Sequence, residues 1–341
     1  MRALTSTRQV VPGDQSAWLE LWRAAATPTV YQHPSWSQVL ADSFGVESLP
    51  LAACRGGAVV GILPLYYARN VFSGRILAGL EGDVLGDDPE THLALHEAAI
   101  DLARSRGADH LLLRGAAVPV TAQATPGPLL LRSMVRLASD PQSVFGGLSK
   151  RTRQRVRRAG REGYTVERDS RDLRGFYDIF AARQHAHGTP NFGWPVMREL
   201  AARFGNALSL YAAHHNGRLL GGIVAIRGPH VWTGVYGAVA RVSDDSDFAT
   251  YALYWALIED ACAAGASFVD LGSNLPDSGS AEFKSRWSNC GEWLRFQYVG
   301  AGSRVRDLRS GAGRLQRLWR RLPAALATRL GPYVRRSLPF G

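Results

Sequence analysis

Cysteine is scarce in this chain. Three residues, Cys54, Cys262 and Cys290, stand far apart among 341. That spacing forms no metal-ligand pattern, and an odd number argues against a disulfide framework, so the sequence points to a reducing, cytosolic compartment. Long apolar runs are missing as well: no stretch approaches the roughly 18–20 residues that span a bilayer. The opening residues, MRALTSTRQVVPGDQ, lack the apolar core of a signal peptide. Secretion by that route and insertion across the membrane are therefore not expected.

Familiar catalytic signatures are absent too. There is no G-x-S-x-G, no H-E-x-x-H, no Walker A sequence and no Gly-rich dinucleotide loop. His185 and His187 are two apart and His214 and His215 are adjacent, so neither pair puts two ligands on one helix face. The expectations are no metal, no tightly bound cofactor and no DNA partner.

What is present is an ordinary globular composition, 46% hydrophobic and 20% charged. At 341 residues the chain is long for one core and suits two domains. Its net charge of +11 is uneven: ten Arg and one Asp from Ala301 onward account for +9, leaving +2 for the rest. The body is near neutral and the tail is basic, with a second basic run from Lys150 to Arg161.

Apolar periodicity predicts helices over 14–26, with Asp14 near the N-cap, and over 34–44, 90–106, 149–162, 172–186, 195–204 and 248–264. Hairpins are expected at 49–68, turning at Gly56-Gly57, and at 208–227, turning at Asn216-Gly217. Further strands are expected at 110–114, 129–137, 164–168, 230–237, 268–271 and 292–299, with a Pro-rich loop at 118–128. Two similarities recur in order. LPLAACRGGAVVGI (49–62) resembles LSLYAAHHNGRLLGGI (208–223), and DLARSRGADHLLLRG (101–115) resembles DACAAGASFVDLG (260–272). Matching order and separation indicate a duplicated unit of hairpin, helix and strand, hence two α+β domains.

The stretch from Ser267 to Trp287 stands out. A short apolar strand gives way to a loop, Gly272 to Ser280, expected to be irregular, and then to Phe283, Lys284, Arg286 and Trp287. Such an arrangement can put one cation in a cleft, although a solvated surface lysine fits the same spacing. Transfer of an activated acyl group to an amine suits what remains once the other chemistries are removed. It needs aligned substrates, a donor for the oxyanion and an acceptor for the amine's proton. Lys284 fits the oxyanion donor, and Asp270, at the end of a buried strand, could orient the amine or accept its proton; a helix- or loop-capping aspartate is the alternative for Asp270.

Several segments carry a family resemblance. SKRTRQRVRRAGREGY (149–164) is similar to a basic helix of the form K-x-R-x-x-I-R-x-A-x-x-x-G. ARQHAHGTPNFGWPVMREL contains R-x-x-x-x-G-T-P, VYGAV ends a strand in Tyr-Gly, and Phe268 to Trp287 resembles F-D-F-G-R-S…Y-R-F-K-x-x-W-G. Together with LWRRLPAALATRLGPYVRRSL these pieces resemble the Fem family, the FemABX-type transferases of the GNAT superfamily, and within it the FemAB-like proteins associated with exosortase (PEP-CTERM) and exopolysaccharide loci. The similarity covers roughly 145–338; Ser273 replaces a frequent Arg, and Ser288 the Gly that usually follows Trp.

The resemblance implies an α+β fold of tandem GNAT-like (acyl-CoA N-acyltransferase) domains, each a mixed sheet flanked by helices. The domains are expected at 1–140 and 141–302, with a basic amphipathic tail at 303–341. It implies an acyltransferase that forms an amide on an amine of a cell-envelope precursor, lipid-linked or UDP-linked. The acyl donor is aminoacyl-tRNA or an acyl-CoA as co-substrate. The family's Phe-Lys pair falls on Phe283 and Lys284. Arg151, Arg155 and Arg158 share one helix face and can meet phosphates, or form a solvated charged face. Arg183 and Tyr236 are lesser candidates for substrate binding. Acyl-CoA-dependent transfer to a nucleotide sugar and a non-catalytic scaffold remain as alternatives.

In the tail, Leu315, Leu318, Trp319, Leu322, Leu326 and Leu330 follow helical spacing among arginines, and Pro323 divides the segment. This pattern suits an interfacial helix on anionic lipid over 304–336, at the inner face of the plasma membrane; docking on its own domain and RNA binding are the alternatives.

Overall fold

The computed structural model describes residues 5–70, 74–86, 88–115, 124–240, 247–300 and 316–336. The chain divides into two compact units. One contains Met1–Leu130, Trp293–Ala312 and Tyr333–Gly341, the other Leu131–Glu292 and Gly313–Pro332.

The first unit begins with β1 (Ser6–Gln9), α1 (Gln15–Ala24), α2 (Pro34–Phe44) and β2 (Glu47–Ser48). Asp14 makes no side-chain cap on α1. Its carboxylate instead pairs with Arg8 and accepts from Val11 N at 2.8 Å. The Arg8 hydrogen bond holds Asp14 down at about 2, and an ion pair outcompetes a neutral cap. The hairpin of β3 (Leu51–Arg55) and β4 (Ala58–Leu63) joins β1 in the order β1-β3-β4. Gly56 and Gly57 both have positive φ, 59° and 85°, the turn that matches strand twist.

Pro64 then ends that strand, because it has no N–H to give. The chain continues as β5 (Leu65–Asn70), which pairs with β2 and with β6 (Gly74–Gly79). Helix α3 (Pro89–Ser105) carries it to β7 (His110–Gly115), parallel to β6.

The second unit holds a sheet in the order β8-β13-β12-β11-β10-β9. Its strands are β8 (Ala124–Arg136), which enters from the first unit, β9 (Thr165–Glu167), β10 (Leu208–His215), β11 (Arg218–Arg227), β12 (Val231–Val239) and β13 (Phe268–Asn274). The 124–128 part of the expected Pro-rich loop belongs to β8; 118–123 lies outside the described residues. β8 lies there against β14 (Cys290–Val299): a Cβ on Gly127 would come within 2.9 Å of Phe296 Cβ. The β10–β11 turn uses Asn216 and Gly217 at φ 51° and 73°.

Strands β10 and β11 are buried almost throughout, because helices cover both faces of the sheet. On one side Tyr211, Ala213, Ile223 and Ala225 pack with Phe248 and Leu257 of α8 (Asp247–Ala263). On the other, α6 (Leu173–His187) sets Phe176 over Gly222. Two short helices absent from the sequence reading are α4 (Pro141–Gly147), capped by Asp140, and α9 (Gly279–Lys284), capped by Ser278. The basic run forms α5 (Lys150–Arg161), and Ser149 Oγ caps it by accepting from Thr152 N at 3.1 Å. Helix α7 (Trp194–Phe204) follows the expected span.

The expectation of an irregular loop over Gly272–Ser280 is corrected at both ends. β13 runs on to Asn274 because β8 supplies partners, Ser273 opposite Arg132 and Asn274 opposite Leu131. The tail is helical at 316–321 (α10) and again in α11 (Ala324–Arg336), divided near Pro323 as expected; α11 runs through Pro332.

Candidate active site

The site grows from the crossover β12-α8-β13. The two strands pair in parallel only from Val231/Phe268 to Thr233/Asp270. Past that point β12 keeps company with β11 alone, through a bulge between Val224 and Ala225 that leaves Val235 opposite no residue. β13, paired with β8 from Phe268 onward, keeps that partner alone, with a register shift between Asp270 and Ser273. The sheet's hydrogen-bonding between β12 and β13 therefore ends at Thr233 and Asp270, in the middle of both strands. Bulges of this kind re-aim side chains beside active sites.

Lys284 arrives there from the last turn of α9. Its Nζ donates to Gly272 O at 3.3 Å. Gly272 has φ +81°, and a Cβ in its place would stand 3.4 Å from that ammonium. Phe283 anchors the same helix in an aromatic cluster, with ring centroids 5.4 Å from Tyr251, 5.1 Å from Tyr254 and 6.4 Å from Trp287. Burial pushes the Tyr254 phenol up to about 12, so it stays neutral. Trp287 is 2% exposed and its indole N–H has no hydrogen-bond partner among the described residues.

For Asp270 the structure shows the loop-capping contact given as its alternative, together with an ion pair. It is buried; Oδ2 accepts from Arg132 Nε at 2.9 Å and Oδ1 accepts from Gly272 N at 2.7 Å. Arg132 also reaches Glu292 Oε2 at 3.2 Å. A carboxylate with both oxygens engaged, and no access to water, is poorly placed to take an amine's proton. Asp270 ties Arg132 to the backbone at Gly272, whose carbonyl accepts from Lys284.

Two arginines of α5 lie at the first turn of α8. The Arg155 and Arg158 guanidinium groups sit 5.2 and 4.7 Å from the Phe248 ring centroid. Arg158 also pairs with Glu162 at 3.0 Å, and Arg151 is exposed at the start of α5. Tyr236 stands on the α6 side of the sheet, half-buried against Phe180 at 5.5 Å and Phe192 at 5.3 Å. Arg183 is on α6, 3.1 Å from His187 Nε2. The structure thus brings Phe283, Lys284 and Asp270 together, puts Arg155 and Arg158 at the start of α8, and sets Tyr236 and Arg183 apart on the α6 side.

The sequence reading missed Arg132, Glu292, Tyr251 and Tyr254. Arg132 and Glu292 lie 160 positions apart, and only strand pairing makes them neighbours. A hint existed for Tyr251 and Tyr254, since 251 and 254 share a helix face with Phe248 and Trp255. Among the described residues no group of three His, Cys, Asp or Glu side chains could hold a metal ion.

Comparison with known proteins agrees with this architecture. No curated protein matches the chain. Residues 148–285 match the family described as acetyltransferase (GNAT) domain. Among solved structures, FemX superposes with a TM-score of 0.65 at 14% identity, covering 86% of this chain and 97% of FemX. L-PGS from Bacillus licheniformis gives 0.58 at 14%, covering 92% and 99%. A tandem GNAT protein from the clavulanic acid biosynthesis pathway gives 0.54 at 15%, covering 88% and 99%. At these identities the likenesses bear on the fold. Residues 148–285 thus match a GNAT domain family, within a chain whose fold is like that of tandem GNAT proteins.

Proposed function

We propose that this protein transfers an acyl or aminoacyl group to an amine of a cell-envelope precursor, peptidoglycan or exopolysaccharide, with Lys284 as the oxyanion donor. The observation that carries the reading is the Lys284 ammonium, held 3.3 Å from Gly272 O where the β12–β13 pairing ends. The acceptor amine attacks the carbonyl carbon of an ester or thioester. Negative charge develops on the carbonyl oxygen, and Lys284 meets it with an N–H. The bond to the donor then breaks, the donor leaves as an alcohol or thiol with one proton from the amine, and the amide remains. Phe283 keeps α9 in place through its aromatic neighbours, and Asp270 with Arg132 keeps the Gly272 carbonyl in place.

Arg151, Arg155 and Arg158 would meet phosphates of the donor, whether aminoacyl-tRNA or coenzyme A. Tyr236 and Arg183 would bind the acceptor. FemX and L-PGS as fold neighbours favour aminoacyl transfer to an envelope component; the acetyltransferase description of residues 148–285 favours an acyl-CoA donor as the second reading. A lipid-linked acceptor suits a basic tail at an anionic membrane surface. No described helix is long and apolar enough to cross a membrane.

The test is binding followed by turnover. Thermal shifts with acyl-CoA, an aminoacyl-tRNA pool and UDP-linked peptides identify the donor and acceptor. Amide formation is then compared for wild type, Lys284→Met and Lys284→Arg. Product formation lost in Lys284→Met and partly kept in Lys284→Arg is expected; equal rates in all three would remove Lys284 from the reaction. No shift with any ligand would favour a binding scaffold over an enzyme.

A further inference from the structure

The tail has two unlike faces. Toward the second unit it meets the loop that joins α6 to α7. His185 Nε2 lies 3.2 Å from Trp319 O, and Arg320 donates to His187 O at 3.2 Å. Glycines allow backbones to touch. A Cβ on Gly188 would lie 2.6 Å from Gln316 O, one on Gly193 would lie 3.1 Å from Pro332, and one on Gly331 would overlap Asn191 Oδ1. Ala327, one turn before Gly331, is 1% exposed. The gripped loop carries Asn191, which donates to Tyr177 OH at 3.1 Å, and Phe192, which packs on Tyr236.

The opposite face is apolar and open. Leu318, Leu326 and Leu330 are 61%, 43% and 39% exposed. The structure buries Ala327 and Gly331 and leaves these leucines outside. Arg321 and Arg329 are exposed on the same helices, and no Asp or Glu follows Asp307 in the sequence.

We infer that the C-terminal helices form a two-sided clasp. Their inner face holds the 188–193 loop that supports Tyr236, and their outer face rests on an anionic lipid bilayer. Arginine alone would suit any polyanion, including RNA. Three exposed leucines beside arginines select a surface that is both anionic and apolar below its charges. The inference rests on the function proposed above only in giving Tyr236 a part in acceptor binding, and neither readout below uses enzymatic activity.

The experiment uses the full chain with two vesicle types, phosphatidylcholine alone and phosphatidylcholine with one-third phosphatidylglycerol. Wild type is expected to pellet with the anionic vesicles and not with the neutral ones. Leu318→Glu/Leu326→Glu/Leu330→Glu should lose at least about tenfold in that partitioning, with unchanged amide exchange in 188–193. Gly331→Val should behave conversely, with faster exchange in 188–193 while anionic vesicles are still bound. Pelleting of the triple-Glu variant at the wild-type level overturns the outer face, and so does an RNA-binding tail, which would shift an oligouridine equally in both proteins and leave anionic vesicles alone. Unchanged exchange of 188–193 in Gly331→Val overturns the inner face.

Discussion

Both units contain a parallel strand pair joined by a helix, β6-α3-β7 in the first and β12-α8-β13 in the second. The ends of these pairs differ. In the second unit the position beyond the paired residues holds Lys284, half-buried against a carbonyl. In the first unit the chain after β6 closes on itself. Asp83, at φ +59°, is 1% exposed and its Oδ2 is 2.8 Å from His96 Nε2. Thr29 Oγ1 donates to Glu81 O at 2.5 Å, and Gln32 Nε2 to Gly82 O at 2.9 Å. Arg114 at the end of β7 is buried over Phe296. A buried polar plug occupies one position and a half-buried cation the other, so the two units present different side chains at the ends of similar strand pairs.

The strongest way to break that comparison is to attack the frame of the second site. Arg132→Met leaves Asp270 buried without its cation, and is expected to cost about 3–5 kcal/mol in urea unfolding. A loss below about 1 kcal/mol would mean that Asp270 finds water and does not fix Gly272. Next comes Lys284→Met, expected to lower amide formation about a hundredfold, near 3 kcal/mol of transition-state stabilisation, at an unchanged melting temperature. The matching change in the first unit, Asp83→Asn, keeps a residue tolerant of positive φ and removes the charge that meets His96. It should cost about 1–3 kcal/mol of stability and leave the rate alone. A rate loss in Asp83→Asn comparable to that in Lys284→Met would give the plug a catalytic part.

A pH effect provides the smallest test. Burial lowers His33 to about 4, and its Nδ1 accepts from Ser35 N at the start of α2. The neutral ring is the folded form. Its stabilisation is complete above the unfolded value near 6.5 and is lost as pH falls toward 4. Between pH 7 and pH 5 this histidine should cost about 2 kcal/mol, and His33→Asn, which keeps a cap without titrating, should flatten that dependence. An equal slope in the variant would assign it to other groups.

Much of the fold was written locally. Asn216-Gly217 and Gly56-Gly57 specify their turns, Ser149 caps α5, and the spacing of Phe176, Tyr177 and Phe180 sets the buried face of α6. The candidate site was legible as a short segment, because Asp270, Phe283 and Lys284 are close in sequence. Their roles were not equally legible. A lone aspartate after an apolar strand looks like a base until strand pairing brings Arg132 from 138 positions away. The continuation of β13 to Asn274 and the strand at 124–128 likewise depended on partners that β8 and β14 supply, since a strand's hydrogen bonds lie outside itself.

By itself, then, the sequence determined the longer helices, the two hairpins and the segment that carries Asp270, Phe283 and Lys284, because turn chemistry, capping and periodicity act within a few residues. Tertiary structure alone decided that Asp270 is an ion-paired support, that Phe283 lies among Tyr251, Tyr254 and Trp287, and that the tail's leucines face outward while Gly331 faces Asn191. Those outcomes depend on which surfaces meet once the elements pack, and no local pattern encodes the partner.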